Sequence, residues 1–174
     1  MYECMTASEI ADGLLLASFE ESFDRAALAA HGVTHVLNVA DECVVSCRVD
    51  LTYAKFGAIR DDCADDDISA ILPDCIAFID SRRGSIVVHC LEGRSRSACV
   101  VLAYLVTRRG MTWDDALDRI ARARPAVDVF PPFLEQTRRW CAIRAGCPDA
   151  RTPGRPEEGD GGLEGGDNAA RAQV

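Results

Sequence analysis

Residues 89–97 read His89-Cys90-Leu91-Glu92-Gly93-Arg94-Ser95-Arg96-Ser97. Cys90 and Arg96 stand six positions apart, with Gly93 between them. An apolar, β-branched run from Ser85 to Val88 leads in, and an apolar run of helical character from Ala98 to Val106 leads out. That context predicts a strand ending in a tight loop whose backbone amides turn inward, followed by the positive end of a helix. Such a loop is an anion cradle. A cysteine at its mouth would be favoured as thiolate by the helix terminus and a nearby guanidinium. Thiolate, amide nest and fork-shaped arginine together describe a site for attacking a phosphate monoester. Taken singly, Cys90 reads as a small hydrophobe at a strand end and Arg96 as a surface charge. The ordered set carries the chemistry.

Outward from this stretch, strand signals fall at 10–17, 34–39, 52–58 and 85–89, and helical periodicity at 20–30, 68–81, 97–109, 113–123 and 132–145. Thr112 stands where an N-cap should, with Asp115 three residues on as the acidic half of a capping box. Gly110 should end the preceding helix. Strands alternating with helices, closing on three consecutive helices, predict a layered α/β domain. Residues 1–8 read as a loose leader and 9–146 as one catalytic domain. From 147 to 174 Gly, Pro and acidic residues dominate, a composition that cannot bury enough apolar surface to offset its ordering entropy. That segment is expected to be a disordered tail.

A chain of 174 residues with 48% hydrophobic content can bury one proper core. The net charge of −9 argues against a nucleic-acid or anionic-membrane binder and fits a partner that brings basic residues. No apolar run reaches membrane-spanning length. The nine cysteines include no CxxC pair and no zinc-site spacing, so reduced thiols in a cytoplasmic or nuclear protein are expected, with no metal and no cofactor. Cys43 and Cys47 lie four apart in an apolar stretch, where packing is the expected role.

The run 89–97 resembles the signature of the cysteine-dependent protein tyrosine phosphatase superfamily, and its Gly-x-Ser-Arg-Ser ending resembles the dual-specificity branch. Ile10-Ala11-Asp12-Gly13-Leu14 resembles that branch's opening strand pair, and His31 to Val39 its Gly-Ile-Thr-His-Val-Leu-Asn strand. Ala103 to Val106, Gly110-Met111-Thr112, Arg124-Pro125 and Phe133-Leu134 continue the pattern, which is similar to a plant member of the branch. The resemblance implies a phosphatase fold in which a central, mostly parallel sheet is flanked by helices, with the phosphate loop between a core strand and a helix.

It also implies roles. Cys90 is the nucleophile and forms a cysteinyl-phosphate. Arg96 clamps two phosphoryl oxygens. Leu91, Glu92, Gly93, Arg94, Ser95 and Arg96 form the substrate-binding loop, and Ser97 donates its hydroxyl to the sulfur. His89 neighbours Cys90, but adjacent residues at a strand end face opposite ways, so its expected role is to fix the loop from behind. The general acid lies in the stretch from Ile59 to Ile68, which holds five aspartates. Counting back six from Ile68, as in the family, gives Asp62. Counting forward from Ile59 gives Asp61 as the rival. Asp65 to Asp67 read as helix caps. Where relatives carry an Asn that supports the loop, this chain has Val129-Phe130-Pro131-Pro132, which leaves the support unexplained.

The chain has little room for the recognition loop that deepens the pocket of tyrosine-specific members. Phosphoserine and phosphothreonine should therefore be admitted beside phosphotyrosine. Glu92 would repel a polyanionic head group, RNA phosphatases of the superfamily are typically basic, and 6% aromatic content makes a poor glucan platform. A phosphoprotein is the expected partner, and the plant resemblance suggests a mitogen-activated protein kinase. The alternatives are a phosphatase for lipid, RNA or glucan phosphates, a phosphate-binding pseudophosphatase and a rhodanese-like sulfur carrier. Cys63 and Cys99 are the thiols that could trap an oxidised Cys90.

Overall fold

The computed structural model describes residues 7–44, 50–57 and 59–145. Cys47, Ala58, most of the expected leader and the whole of the expected tail lie outside the described residues. Strand β1 (Ser8–Ala11) turns through Asp12-Gly13 into β2 (Leu14–Ala17), so the run read as one strand is an antiparallel hairpin with Gly13 at φ +67°. Ser8 already pairs with Leu16, so the first strand opens inside the stretch read as leader.

The helix expected over 20–30 is broken. A 3-10 turn (Glu21–Phe23) comes first, then Asp24 in an extended conformation, whose carboxylate accepts from the Ala27 amide and starts α1 (Arg25–Ala30). Strands β3 (Val33–Asn38) and β4 (Thr52–Lys55) follow. A second 3-10 turn (Ile68–Ala70) precedes α2 (Leu72–Ser81), and β5 (Ser85–His89) leads to α3 (Arg96–Arg109). Two further helices close the domain, α4 (Trp113–Ala123) and α5 (Pro131–Ala145). Gly110, at φ +66°, ends α3, and Thr112 caps α4 by accepting from the Asp115 amide at 3.2 Å. The Asp115 carboxylate takes the Thr112 hydroxyl at 2.7 Å, so only half of the expected reciprocal box forms.

The strands order as β1-β2-β5-β3-β4, parallel except for β1 against β2. Alternation sorts the side chains by face. Leu14, Leu16, Leu37, Ile86 and Val88 join the core under α2, α3 and α4, while Leu15, Val36 and Val87 pack with Leu28 of α1 on the other face. Helix α3 is buried from Arg96 through Leu105, so an almost uniformly apolar helix is covered by its neighbours. With β5 central, its C-terminal end at His89 lies level with Ala17 of β2 and Asn38 of β3. Three chain segments thus converge where β5 gives way to the loop and α3, the crevice that open parallel sheets use for ligands. Among the described residues no helix is long and apolar enough to cross a membrane.

Candidate active site

The loop from Cys90 to Ser95 is organised by its carbonyls. His89 O accepts from the Val39 amide at 3.0 Å, and Cys90 O lies 3.2 Å from His89 Nδ1. Leu91 O accepts from the Phe19 amide at 2.9 Å, and Arg94 O from the Asp128 amide at 3.3 Å. The guanidinium of Arg124 donates through Nε to Gly93 O at 2.9 Å and through Nη2 to Glu92 O at 3.2 Å. Ser95 O accepts from the Cys99 amide at 3.0 Å. With every carbonyl tied outward, the amides are left facing the other way. Those of Leu91 to Ser95 donate to no acceptor among the described residues. This is an amide nest at the N-terminus of α3. Gly93 adopts φ +68°, and a Cβ there would stand 2.7 Å from the Ser18 nitrogen and 2.5 Å from the Ala17 carbonyl carbon. Only glycine fits.

Cys90 is nearly buried, and the Ser97 hydroxyl donates to its sulfur at 3.2 Å. The His89 imidazole is buried and held neutral, its pKa pushed down to about 4 by burial. Its Nδ1 lies against the Cys90 carbonyl oxygen. Arg96 is fully buried. Its Nη1 donates to Ile59 O at 3.0 Å and to Glu42 at 2.9 Å, while Nη2 meets Glu42 at 2.5 Å and Asp61 at 3.1 Å. Its Nε is buried with no hydrogen-bond partner among the described residues. An unpaired buried N–H is costly unless a ligand satisfies it. One oxyanion would accept a hydrogen bond from this Nε together with those of the nest amides.

Of the two candidate acids, Asp61 reaches the site and Asp62 does not. Asp61 Oδ1 pairs with Arg96, and burial pushes its pKa up, opposed by Arg96 and reinforced by Asp62, Glu42 and Glu92. Asp62 sits at φ +46° in the turn, exposed, with no hydrogen bond or ion pair among the described residues. Asp62 takes the left-handed position, and Asp61, its side chain 44% exposed, is the one of the two that pairs with Arg96. Asp66 holds this loop through the Arg60 amide at 2.6 Å and the Arg60 guanidinium at 2.7 Å, while Gln136 of α5 ties Asp66 O and the Ile68 amide at 3.0 Å each.

Three contributors were missed in the sequence. Glu42 holds the outer edge of the Arg96 fork, and the guanidinium lowers its pKa. The Phe19 amide steadies Leu91. Arg124, seen only as part of a recurring Arg-Pro pair, turns out to brace the loop. It is paired at 3.0 Å with Glu21, both buried, and Glu21 also accepts from the Ser18 amide. The support left unexplained by the missing Asn comes from Arg124, the Asp128 amide and the Phe130 amide, which donates to Ser95 Oγ at 3.1 Å. Removing one member of a buried pair strands the other charge. Arg124→Met is expected to cost about 3–5 kcal/mol in denaturant unfolding. Adding Glu21→Gln should restore part of that loss, and a double variant no better than the single would refute the pairing.

Residues 14–142 match the family model described as the dual specificity phosphatase catalytic domain. The chain belongs to the dual specificity phosphatase family. It is 33% identical over 130 residues to dual specificity protein phosphatase 19 of Mus musculus, covering 73% of this chain and 58% of that protein. It is likewise 33% identical over 132 residues to dual specificity protein phosphatase 1 of Arabidopsis thaliana, covering 74% of this chain and 66% of that protein. The chain thus spans 58–66% of the length of these curated relatives. A crystal structure of a human DUSP28 variant superposes with a TM-score of 0.74 at 29% identity, covering 82% of this chain and 99% of that one. The fold expected from the resemblance is the fold observed.

Proposed function

We propose that this chain hydrolyses phosphotyrosine and phosphoserine or phosphothreonine in proteins through a cysteinyl-phosphate intermediate. The observation that carries the reading is the set of unsatisfied donors around Cys90: the nest amides and the buried Arg96 Nε. In the first step Cys90 Sγ attacks phosphorus in line, and the bond to the leaving oxygen breaks. Asp61 protonates that oxygen as it departs. The nest and Arg96 hold the equatorial oxygens, whose charge is what such a site must stabilise. In the second step Asp61 takes a proton from water, which attacks phosphorus and expels the thiolate, and the Ser97 hydroxyl stabilises the sulfur as it leaves.

Acidic neighbours favour a protein over a lipid or RNA substrate, since Glu42, Asp61 and Glu92 would all repel further phosphates. The resemblance to plant phosphatases makes a mitogen-activated protein kinase the candidate substrate protein. Six free thiols among the described residues fit a reducing compartment, the cytoplasm or nucleus. Phosphate release from a peptide carrying both phosphothreonine and phosphotyrosine tests the reading. Release from both residues is expected. Arg96→Lys should lower kcat/KM about 10²-fold, because a lysine keeps the charge but cannot engage Glu42, Ile59 O and an oxyanion at once. Release from neither residue by a folded protein would turn attention to lipid, RNA or glucan phosphates, then to phosphate binding without turnover.

A further inference from the structure

Beside the phosphate loop lies a cleft of about 680 Å³, walled by the 18–20 turn after β2, the outer side of the loop and the 125–128 segment between α4 and α5. Leu91, Glu92 and Arg94 of the loop also line the cleft, so the cleft adjoins the loop. The volume falls within the range of ligand pockets, roughly 300–1,000 Å³. Its lining is apolar at Phe19, Leu91, Pro125 and Val127 and acidic at Glu20, Glu92 and Asp128.

Among the described residues Arg94 is the one cation lining the cleft, and it is already engaged by Glu92 at 3.1 Å and by Asp128 at 2.9 Å. Glu20 makes no ion pair among the described residues. Three carboxylates against one engaged guanidinium leave a cleft of negative charge with apolar lining beside it. A lysine or arginine fits such a surface, its methylene stem on the apolar side chains and its charge by the carboxylates. A second phosphate would have to displace two carboxylates from Arg94 and then lie between them. The overall charge of −9 adds long-range attraction for a basic segment.

We propose that this cleft receives the residues flanking the phosphorylated one in a polypeptide substrate and selects lysine or arginine there. The inference rests on the proposed phosphatase reading and adds the substrate class to it. Glu20 acts as a specificity residue remote from the reacting atoms.

The test compares phosphotyrosine peptides identical except for Lys, Ala or Glu on either side, with p-nitrophenyl phosphate as a substrate without flanks. At low salt kcat/KM should be about 10-fold higher for Lys than for Glu flanks, mainly through KM, and the gap should shrink as salt rises. The variant Glu20→Lys should weaken the preference while leaving p-nitrophenyl phosphate turnover unchanged. Equal rates for all flanks, or a preference untouched by Glu20→Lys, would overturn the proposal, as would a preference for a second phosphate. The same peptides are titrated by fluorescence anisotropy against Cys90→Ser. Tighter binding of Lys flanks without turnover by the wild type would support the cleft and refute the phosphatase reading. Turnover without flank discrimination would do the reverse.

Discussion

Replacing Cys90 with serine is expected to lower phosphate release by about 10⁴-fold or more, below detection in an ordinary assay. The reason is specific to this site. A hydroxyl needs a base to become a nucleophile, and the adjacent histidine cannot serve. His89 Nδ1 faces the Cys90 carbonyl, and burial keeps the ring out of the proton exchange a catalytic base needs. Asp61 must enter the first step carrying its proton, so it cannot take one from the attacking group. The substitution should leave the fold intact, because the two side chains are close in size and the nest is held by carbonyl contacts that do not involve the sulfur. Phosphopeptide binding should therefore persist. Rapid acid quenching of the wild type should trap phosphate on Cys90, readable as an added phosphoryl mass on the peptide that contains it. A serine variant retaining more than about one per cent of the wild-type rate would require a different nucleophile.

The parts of this site that were legible in the sequence are the local ones. Strand, glycine, arginine and helix follow one another within residues 85–109, and their order alone dictates an inward-facing loop. The contributors that were not legible are joined to the loop only by topology. Glu42 lies 54 residues from Arg96, and Arg124 lies 31 from Gly93. Glu42 arrives because β5 runs beside β3, so the segment leaving β3 flanks the loop, while Arg124 is brought in by the end of α4. No periodicity in a single sequence encodes that neighbourhood. The broken helix at 20–30 has a different cause. Glu21 is drawn inward to Arg124 and the Ser18 amide, which fixes a 3-10 turn, and Asp24 then restarts the helix as a cap. Apolar spacing over these residues is compatible with one helix, and the buried ion pair overrides it.

Asp61→Asn is expected to lower kcat for a phosphotyrosine peptide about 10³-fold, against less than about twofold for Asp62→Asn. The difference should depend on the leaving group. A nitrophenolate leaves without help, so Asp61→Asn should affect p-nitrophenyl phosphate far less than phosphotyrosine, whereas damage to the nest would affect both alike. The pH profile supplies the sign. Burial and the carboxylates of Asp62, Glu42 and Glu92 raise the Asp61 pKa against the pull of Arg96. The acid form therefore persists to higher pH than an ordinary aspartic acid allows, and the alkaline limb of kcat moves upward with it. That limb should vanish in Asp61→Asn and survive in Asp62→Asn. Stability should move the other way. A carboxyl whose pKa is raised on folding binds its proton more tightly in the native state, so stability falls as pH rises from the unfolded pKa through the folded one. With the Asp61 side chain 44% exposed, solvent screens most of that effect near neutrality. Thermal melts at neutral pH should then show Asp61→Asn to be as stable as the wild type or slightly more so, the pattern of a residue kept for catalysis rather than for packing. If Asp62→Asn instead removed the limb and the turnover of phosphotyrosine, the acid would be Asp62, and the turn at 61–62 would have to reverse when substrate binds.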